Sequence, residues 1–256
     1  MEIRILGAHN IETKNTGSLC LLIDNILAVD AGALTSSLSI TQQQNLKAIL
    51  LTHQHYDHIR DIPMLGMSLL LSKKTAEIYT TKTVYDILTT HLLNNIVFPN
   101  FAERPPEKPV FHFNILEPGK AASIAGYGVL PVTVNHAVPT MGYEITSFDG
   151  KKVFISADTG PGLEDCWRQI SPNLLIIETT VLNDNEDAAR RVGHLTPYLL
   201  LKELEAFREI KGYLPQVVLV HLDPLIEKST KNEIREVEKA LSTHIRLSHE
   251  GMKIKI

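Results

Sequence analysis

Several things are scarce in this chain. Only two cysteines, Cys20 and Cys166, occur in 256 residues, and neither lies in a CxxC pair. That excludes a disulfide-stapled framework and suits a reducing compartment, so a cytoplasmic location is expected. No apolar run is long enough to span a bilayer. The opening MEIRILGAHN has no signal-like apolar core and goes straight into a strand pattern, so no export signal is expected. Charge of one sign is also missing. The formal net charge is −4, which gives no global attraction for nucleic acid. No linker, internal repeat or low-complexity segment is visible, and one domain over residues 1–256 is expected.

Histidine is what the chain has in quantity. There are 11, and six of them, His53, His55, His58, His136, His194 and His221, are candidate site residues below. The densest stretch is THQHYDHI, Thr52 to Ile59, with His53, His55, Asp57 and His58. Imidazole and carboxylate suit zinc, iron and manganese. An extended segment would put His53, His55 and Asp57 on one side, and a tightening turn would bring His58 beside Asp57. Before it, LKAILL (Leu46 to Leu51) reads as a buried strand that delivers the ligands at its C-terminal end. After it, Asp61 to Leu71 reads as a helix, with Asp61 as a cap and Pro63 in the first turn.

Three more apolar strands end in a metal-type ligand. VLPVTVNH ends in His136, KVFISAD in Asp158 and QVVLVH in His221. With the first stretch they supply seven ligands, the number needed by two metals that share one carboxylate. LLIIE (Leu174 to Glu178) is a buried strand ending in a carboxylate. GHLTP (Gly193 to Pro197) leads into a helix from Pro197 to Ile210, with Thr196 as N-cap. Other strands are expected at Glu2–Leu6, Leu19–Asp24, Ile26–Asp30, Ile78–Thr80, Val110–Ile115 and Tyr143–Phe148, and helices at Thr83–Leu93, Gly162–Ile170 and Leu225–Leu241. Asp30 reads either as an acceptor orienting the ligand loop or as a turn residue. Residues 94–109 read either as a lid or as a packed surface loop. Thr159 and Thr196 read as phosphate contacts or as caps. Strands with hairpins, then alternating β and α, fit two sheets with helices outside.

The HxHxDH segment, followed by strand-terminal His, Asp and His, resembles the metallo-β-lactamase fold superfamily over nearly the whole chain. The resemblance implies an α/β (α+β) four-layer αββα sandwich. It implies one metal on His53, His55 and His136, a second on Asp57, His58 and His221, and Asp158 as the bridge. Asp30 matches the family's first motif, whereas Asp61 stands where many members carry glycine. The stretches HLLNNIVFPNF, VNHAVPTMGYEI, SADTGP, IIETT and GHLTP are similar to class II cyclic-nucleotide phosphodiesterases. The related tRNA 3′-processing endonucleases have an assisting histidine at the position of His194. The implied activity is binuclear hydrolysis of a 3′,5′-cyclic nucleotide with two divalent metals, zinc foremost and iron or manganese also accepted. The implied catalytic residues are His194, Asp57 and Glu178, with His194 as general acid and Glu178 holding it protonated. The alternatives are a tRNA 3′-endonuclease-like nuclease, a thioester or lactone hydrolase, and a non-catalytic ligand sensor. The expected partner is a small phosphodiester, with no membrane, no strong nucleic-acid binding and homodimerisation open.

Metal-replete protein is expected to hold close to two transition-metal ions per chain, and Asp158→Ala to loosen both. Elemental analysis that finds one ion or none ends the binuclear reading.

Overall fold

Apolar runs bounded by Gly, Asp and Asn become short strands in the computed structural model, which describes residues 1–256. By backbone proximity the chain divides into two units. The first holds Met1–Gly7, Gly17–Glu117 and Glu250–Lys255, the second Ala8–Thr16, Pro118–His249 and Ile256.

In the first unit the elements are β1 (Glu2–Gly7), β2 (Cys20–Ile23), β3 (Leu27–Val29), α1 (Leu34–Ser37), α2 (Ile40–Gln44), β4 (Ala48–Leu50), α3 (Tyr56–Ile59), α4 (Ile62–Leu71), β5 (Ala76–Thr80), α5 (Lys82–Ile87) and β6 (Phe111–Ile115). The C-terminal strand Lys253–Lys255 pairs with β1, and the sheet then runs in order from β1 to β6. Pairing is antiparallel as far as β3 and parallel from β3 to β6. Asp24 and Asn25 both take left-handed backbone at the β2–β3 turn, a conformation these two residue types tolerate. Ile62, Leu65 and Leu69 of α4 pack with Ile49, Ile78 and Phe101 in this unit's core.

The second unit holds β7 (Ala122–Ile124), β8 (Tyr127–Val134), β9 (Thr140–Thr146), β10 (Lys152–Ile155), α6 (Glu164–Gln169), β11 (Leu174–Glu178), α7 (Glu186–Val192), α8 (Pro197–Lys211), β12 (Gln216–Val220), α9 (Glu227–Leu241) and β13 (Ile245–Leu247). Its seven strands run in order from β7 to β13. Here too the first three pairings are antiparallel and the last three parallel. Thr196 caps α8 by accepting the Leu199 N–H, Pro197 follows it, and left-handed Gly212 ends the helix. Trp167 of α6, Leu204 and Phe207 of α8, and Val237 of α9 pack with Leu175 and Leu219 of the sheet. Glu203, buried on α8, accepts the Gly162 and Leu163 N–H groups and the Trp167 indole N–H, which ties the start of α6 to α8.

The two sheets therefore repeat one plan, three antiparallel pairings followed by three parallel ones, although no repeat is visible in the residues. In each, one strand changes partner type, β3 in the first and β10 in the second. Open α/β sheets place ligands beyond the carboxyl ends of their strands, and the parallel half of each sheet offers such an edge.

Several boundaries differ from the sequence reading. The helix expected over Thr83–Leu93 leaves α geometry at Ile87 and widens into a π-helical turn, Leu88–Leu92. Leu93 then bonds back to Leu88, and both are fully buried. The strand expected to reach Phe148 stops at Thr146, because Ser147 to Lys151 form the hairpin turn and leave Phe148 exposed. Asp61 does not cap its own helix. Its Oδ2 accepts the Thr35 N–H of α1 at 2.7 Å. The elements α1, α2, α7, β7 and β13 were too short for periodicity to mark. No helix is long and apolar enough to cross a membrane.

Gly66 of α4 has no room for a side chain: a Cβ there would lie 2.2 Å from the Phe101 ring. Gly66→Ala should therefore cost about 1–3 kcal/mol through overpacking, despite alanine's better helix propensity. A thermal unfolding midpoint equal to the parent's would show that Phe101 yields at no cost.

Candidate metal centre

The ligand stretch in the first unit starts where β4 ends. The backbone stays extended through His55, which is the N-cap of α3 (φ −62°, ψ 144°). The turn thus begins before Asp57, and Asp57 and His58 both lie on one turn of helix rather than Asp57 continuing the extended alternation. His58 Nε2 is 3.4 Å from Asp57 Oδ2. The rings of His53 and His55 have centroids 4.7 Å apart, and those of His53 and His58 4.2 Å.

Asp30 organises this stretch. It follows β3 in left-handed backbone (φ 58°) and is fully buried. Its Oδ1 accepts the Thr52 N–H at 2.9 Å, and both oxygens lie within 3.0 Å of the Thr52 hydroxyl. Oδ2 is 2.7 Å from His58 Nδ1, and the Thr52 hydroxyl is 3.0 Å from His53 Nδ1. Of the two readings of Asp30, the orienting acceptor is the one observed. Gly32 clears the way. A Cβ there would lie 2.2 Å from the Asp57 carbonyl oxygen, so only glycine lets the ligand turn come this close.

In the second unit His136 follows β8, Asp158 follows β10 and His221 follows β12. His136 Nδ1 donates to the Gly193 carbonyl at 2.8 Å, and its Nε2 is 3.9 Å from Asp158 Oδ2. His221 Nε2 is 3.5 Å from the same oxygen. Burial, the largest influence, holds the His136 pKa below its ordinary value against the Gly193 bond and Asp158, which keeps the imidazole neutral and able to ligate. Glu178 is fully buried and has four partners. Its Oε1 accepts the Thr159 N–H and lies 2.5 Å from His194 Nδ1. Its Oε2 accepts the Thr180 hydroxyl and the Leu195 N–H. Glu178 is therefore a buried anchor. The His194 and His221 rings stack at 5.4 Å. Asp158, His194 and His221 each offer an atom within 4.8 Å of the others. Thr159 exchanges bonds with the Asn135 backbone at the end of β8, and Thr196 caps α8, so both hydroxyls are engaged within the protein.

The donor chemistry fits a cation. A hydrogen bond from Nδ1–H leaves the Nε2 lone pair facing outward, as in His58 on Asp30 and His136 on Gly193. Those lone pairs face carboxylate oxygens of Asp57 and Asp158. Two acceptors at such distances repel unless a proton or metal lies between them. The His/Asp clusters thus suit a divalent metal. Both cysteines are buried, which raises their thiol pKa values and removes them as nucleophiles. Sequence reasoning missed Thr52 and Thr180 as ligand supports, and the Gly193 carbonyl as the partner of His136. Their one signal is position, directly before His53, two residues after Glu178 and directly before His194.

A family model described as a beta-lactamase superfamily domain matches residues 21–222. The chain belongs to the metallo-β-lactamase fold superfamily, and the expected α/β architecture of two mixed sheets with helices is the one found. Among solved structures it is similar to unliganded yeast PDE1, at 17% identity and a TM-score of 0.85 over 100% of this chain and 99% of that one. It is also similar to YhfI from Bacillus subtilis, at 17% identity and 0.75 over 99% and 98%. Human tRNase Z, short form, aligns at 19% identity and 0.71 over 100% and 99%. No curated protein sequence matches the chain.

Gly193 is left-handed (φ 72°), and a Cβ there would lie 2.8 Å from His136 Cα and Ala137 N. Gly193→Ala should lower stability by about 1–3 kcal/mol and weaken metal binding by displacing His136. Unchanged affinity in chelator competition would separate this glycine from the His136 ligand.

Proposed function

We propose that the chain is a metal-dependent phosphodiesterase that opens a 3′,5′-cyclic nucleotide to the nucleoside monophosphate. The observation that carries this reading is the 2.5 Å pairing of His194 with buried Glu178, beside Asp158 and His221. A metal cluster alone fits many hydrolytic chemistries. A carboxylate-held imidazole next to it fits a reaction with a poor leaving group that needs a proton. The similarity of GHLTP and SADTGP to class II cyclic-nucleotide phosphodiesterases supports the substrate class, and so does the likeness to yeast PDE1.

In this reading His53, His55, Asp57 and His58 of the first unit and His136, Asp158 and His221 of the second are the side chains that would hold divalent cations. When bound, such cations supply Lewis-acid activation of water and neutralise phosphate charge. The chain's own residues do the rest. Glu178 accepts from Nδ1–H of His194 and favours the imidazolium, which turns Nε2–H toward the leaving oxygen. As the P–O3′ bond breaks, that proton passes to O3′ and the departing group leaves as a neutral alcohol. In this reading the enzyme acts on a small diester in the cytoplasm, as a monomer or homodimer, without membrane attachment or strong binding to nucleic acid.

His194→Ala should keep its metal and lose about 10²–10⁴-fold in turnover of cAMP, the span of a general acid. A p-nitrophenyl phosphodiester leaves without protonation and should slow far less. Equal losses on both substrates, with metal content unchanged, would remove the acid role. Cleavage of neither by the parent protein, with cleavage of precursor tRNA instead, would favour the nuclease alternative.

A further inference from the structure

The two ligand clusters share a wiring pattern that no single motif reveals. In each, a fully buried carboxylate at a strand end touches one histidine directly and reaches a second through a threonine hydroxyl. Asp30 touches His58 and reaches His53 through Thr52. Glu178 touches His194 and reaches His221 through Thr180.

The bond inventory at Thr180 fixes the direction of this relay. Its Oγ1 lies 2.8 Å from Glu178 Oε2, 2.9 Å from the His221 carbonyl and 2.8 Å from His221 Nδ1. A hydroxyl has one proton and two lone pairs. The carboxylate is the stronger acceptor, because a charge-assisted bond outweighs a neutral one. With the proton given to Glu178, Oγ1 can only accept from His221, so Nδ1 of His221 carries hydrogen. The lone pair of His221 is then on Nε2, the atom 3.5 Å from Asp158 Oδ2. The opposite tautomer would leave Nδ1 and Glu178 competing for one hydroxyl proton.

We propose that Thr180 is a positioning residue: its hydroxyl transmits the demand of Glu178 to His221 and fixes that ring with hydrogen on Nδ1 and its ligating pair on Nε2. Glu178 thereby serves two histidines with different tasks, the ligand His221 through Thr180 and the proton donor His194 directly. Thr52 does the same for His53 in the first unit. The inference rests on the metal-binding reading of His221, but not on the identity of the substrate.

The test compares Thr180→Val, which keeps shape and loses the hydroxyl, with Thr180→Ser, which keeps the hydroxyl. Cobalt(II) affinity is measured by chelator competition. The His221 tautomer is read from ¹⁵N shifts of the metal-free protein, assigned with a His221→Gln control. Thr180→Val should lose about 10–100-fold in affinity, the cost of removing a group that orients a ligand. Its His221 should become a mixture of tautomers, while Thr180→Ser retains affinity and the Nδ1–H form. Equal loss in Val and Ser would assign Thr180 a packing role and overturn the proposal. Should Thr180→Val fail to fold, the parent spectrum decides, since an Nε2–H tautomer of His221 there also overturns it. A parent protein that binds no cobalt would sink the metal reading, and the tautomer comparison would still test the hydroxyl's role.

Discussion

A carboxylate taken out of water must be met by donors, and Asp30 and Glu178 are both fully buried. Unmet, each would cost several kcal/mol. Each is satisfied by a backbone N–H, a threonine hydroxyl and a histidine ring, and Glu178 by a second backbone N–H as well. The donors that satisfy the charge are the groups that must be held still for metal binding. Stability and site geometry are therefore one requirement here. Removing a carboxylate would free the histidines, and removing a histidine would leave a charge unmet.

The backbone accepts strain at the same places. Asp30, Ala157 and His221 all take left-handed backbone just after a strand, at φ 58°, 57° and 56°. Such conformations cost on the order of 1 kcal/mol or more for residues with a Cβ. In each case the left-handed residue follows a strand that has a parallel neighbour. It is a ligand, the residue before one, or the carboxylate that orients two. The repeated sheet plan gives each unit one such carboxyl-end rim, and the chemistry-bearing residues collect there.

Much of the fold was legible because its signals are local. LLIIE is apolar up to its terminal Glu178 and is β11 with the expected bounds. Thr196 and Pro197 mark the start of α8 by capping chemistry that acts within a turn, and its end falls one residue past the expected Ile210. Helix α4 starts one residue from the expected position, although Asp61 serves α1 instead of its own helix. The helices α1, α2 and α7 and the strands β7 and β13 were missed because no period can establish itself over three to seven residues without a clear apolar run. The π-helical turn at Leu88 was missed because only burial of Leu88 and Leu93 together favours it.

The sequence by itself determined the inventory of candidate ligands: which histidines and aspartates stand at strand ends. Ligand type is a property of the residue, and strand ends follow from apolar run lengths, so both can be read along the chain. Tertiary structure decided the partners. That Thr180 reaches His221 across 41 positions, that Glu178 holds His194, and that the Gly193 carbonyl takes His136 Nδ1 depend on how neighbouring strands and loops pack. A hydrogen bond is set by ångströms and angles in space, and spacing along the chain carries no record of either once the partners lie on different elements.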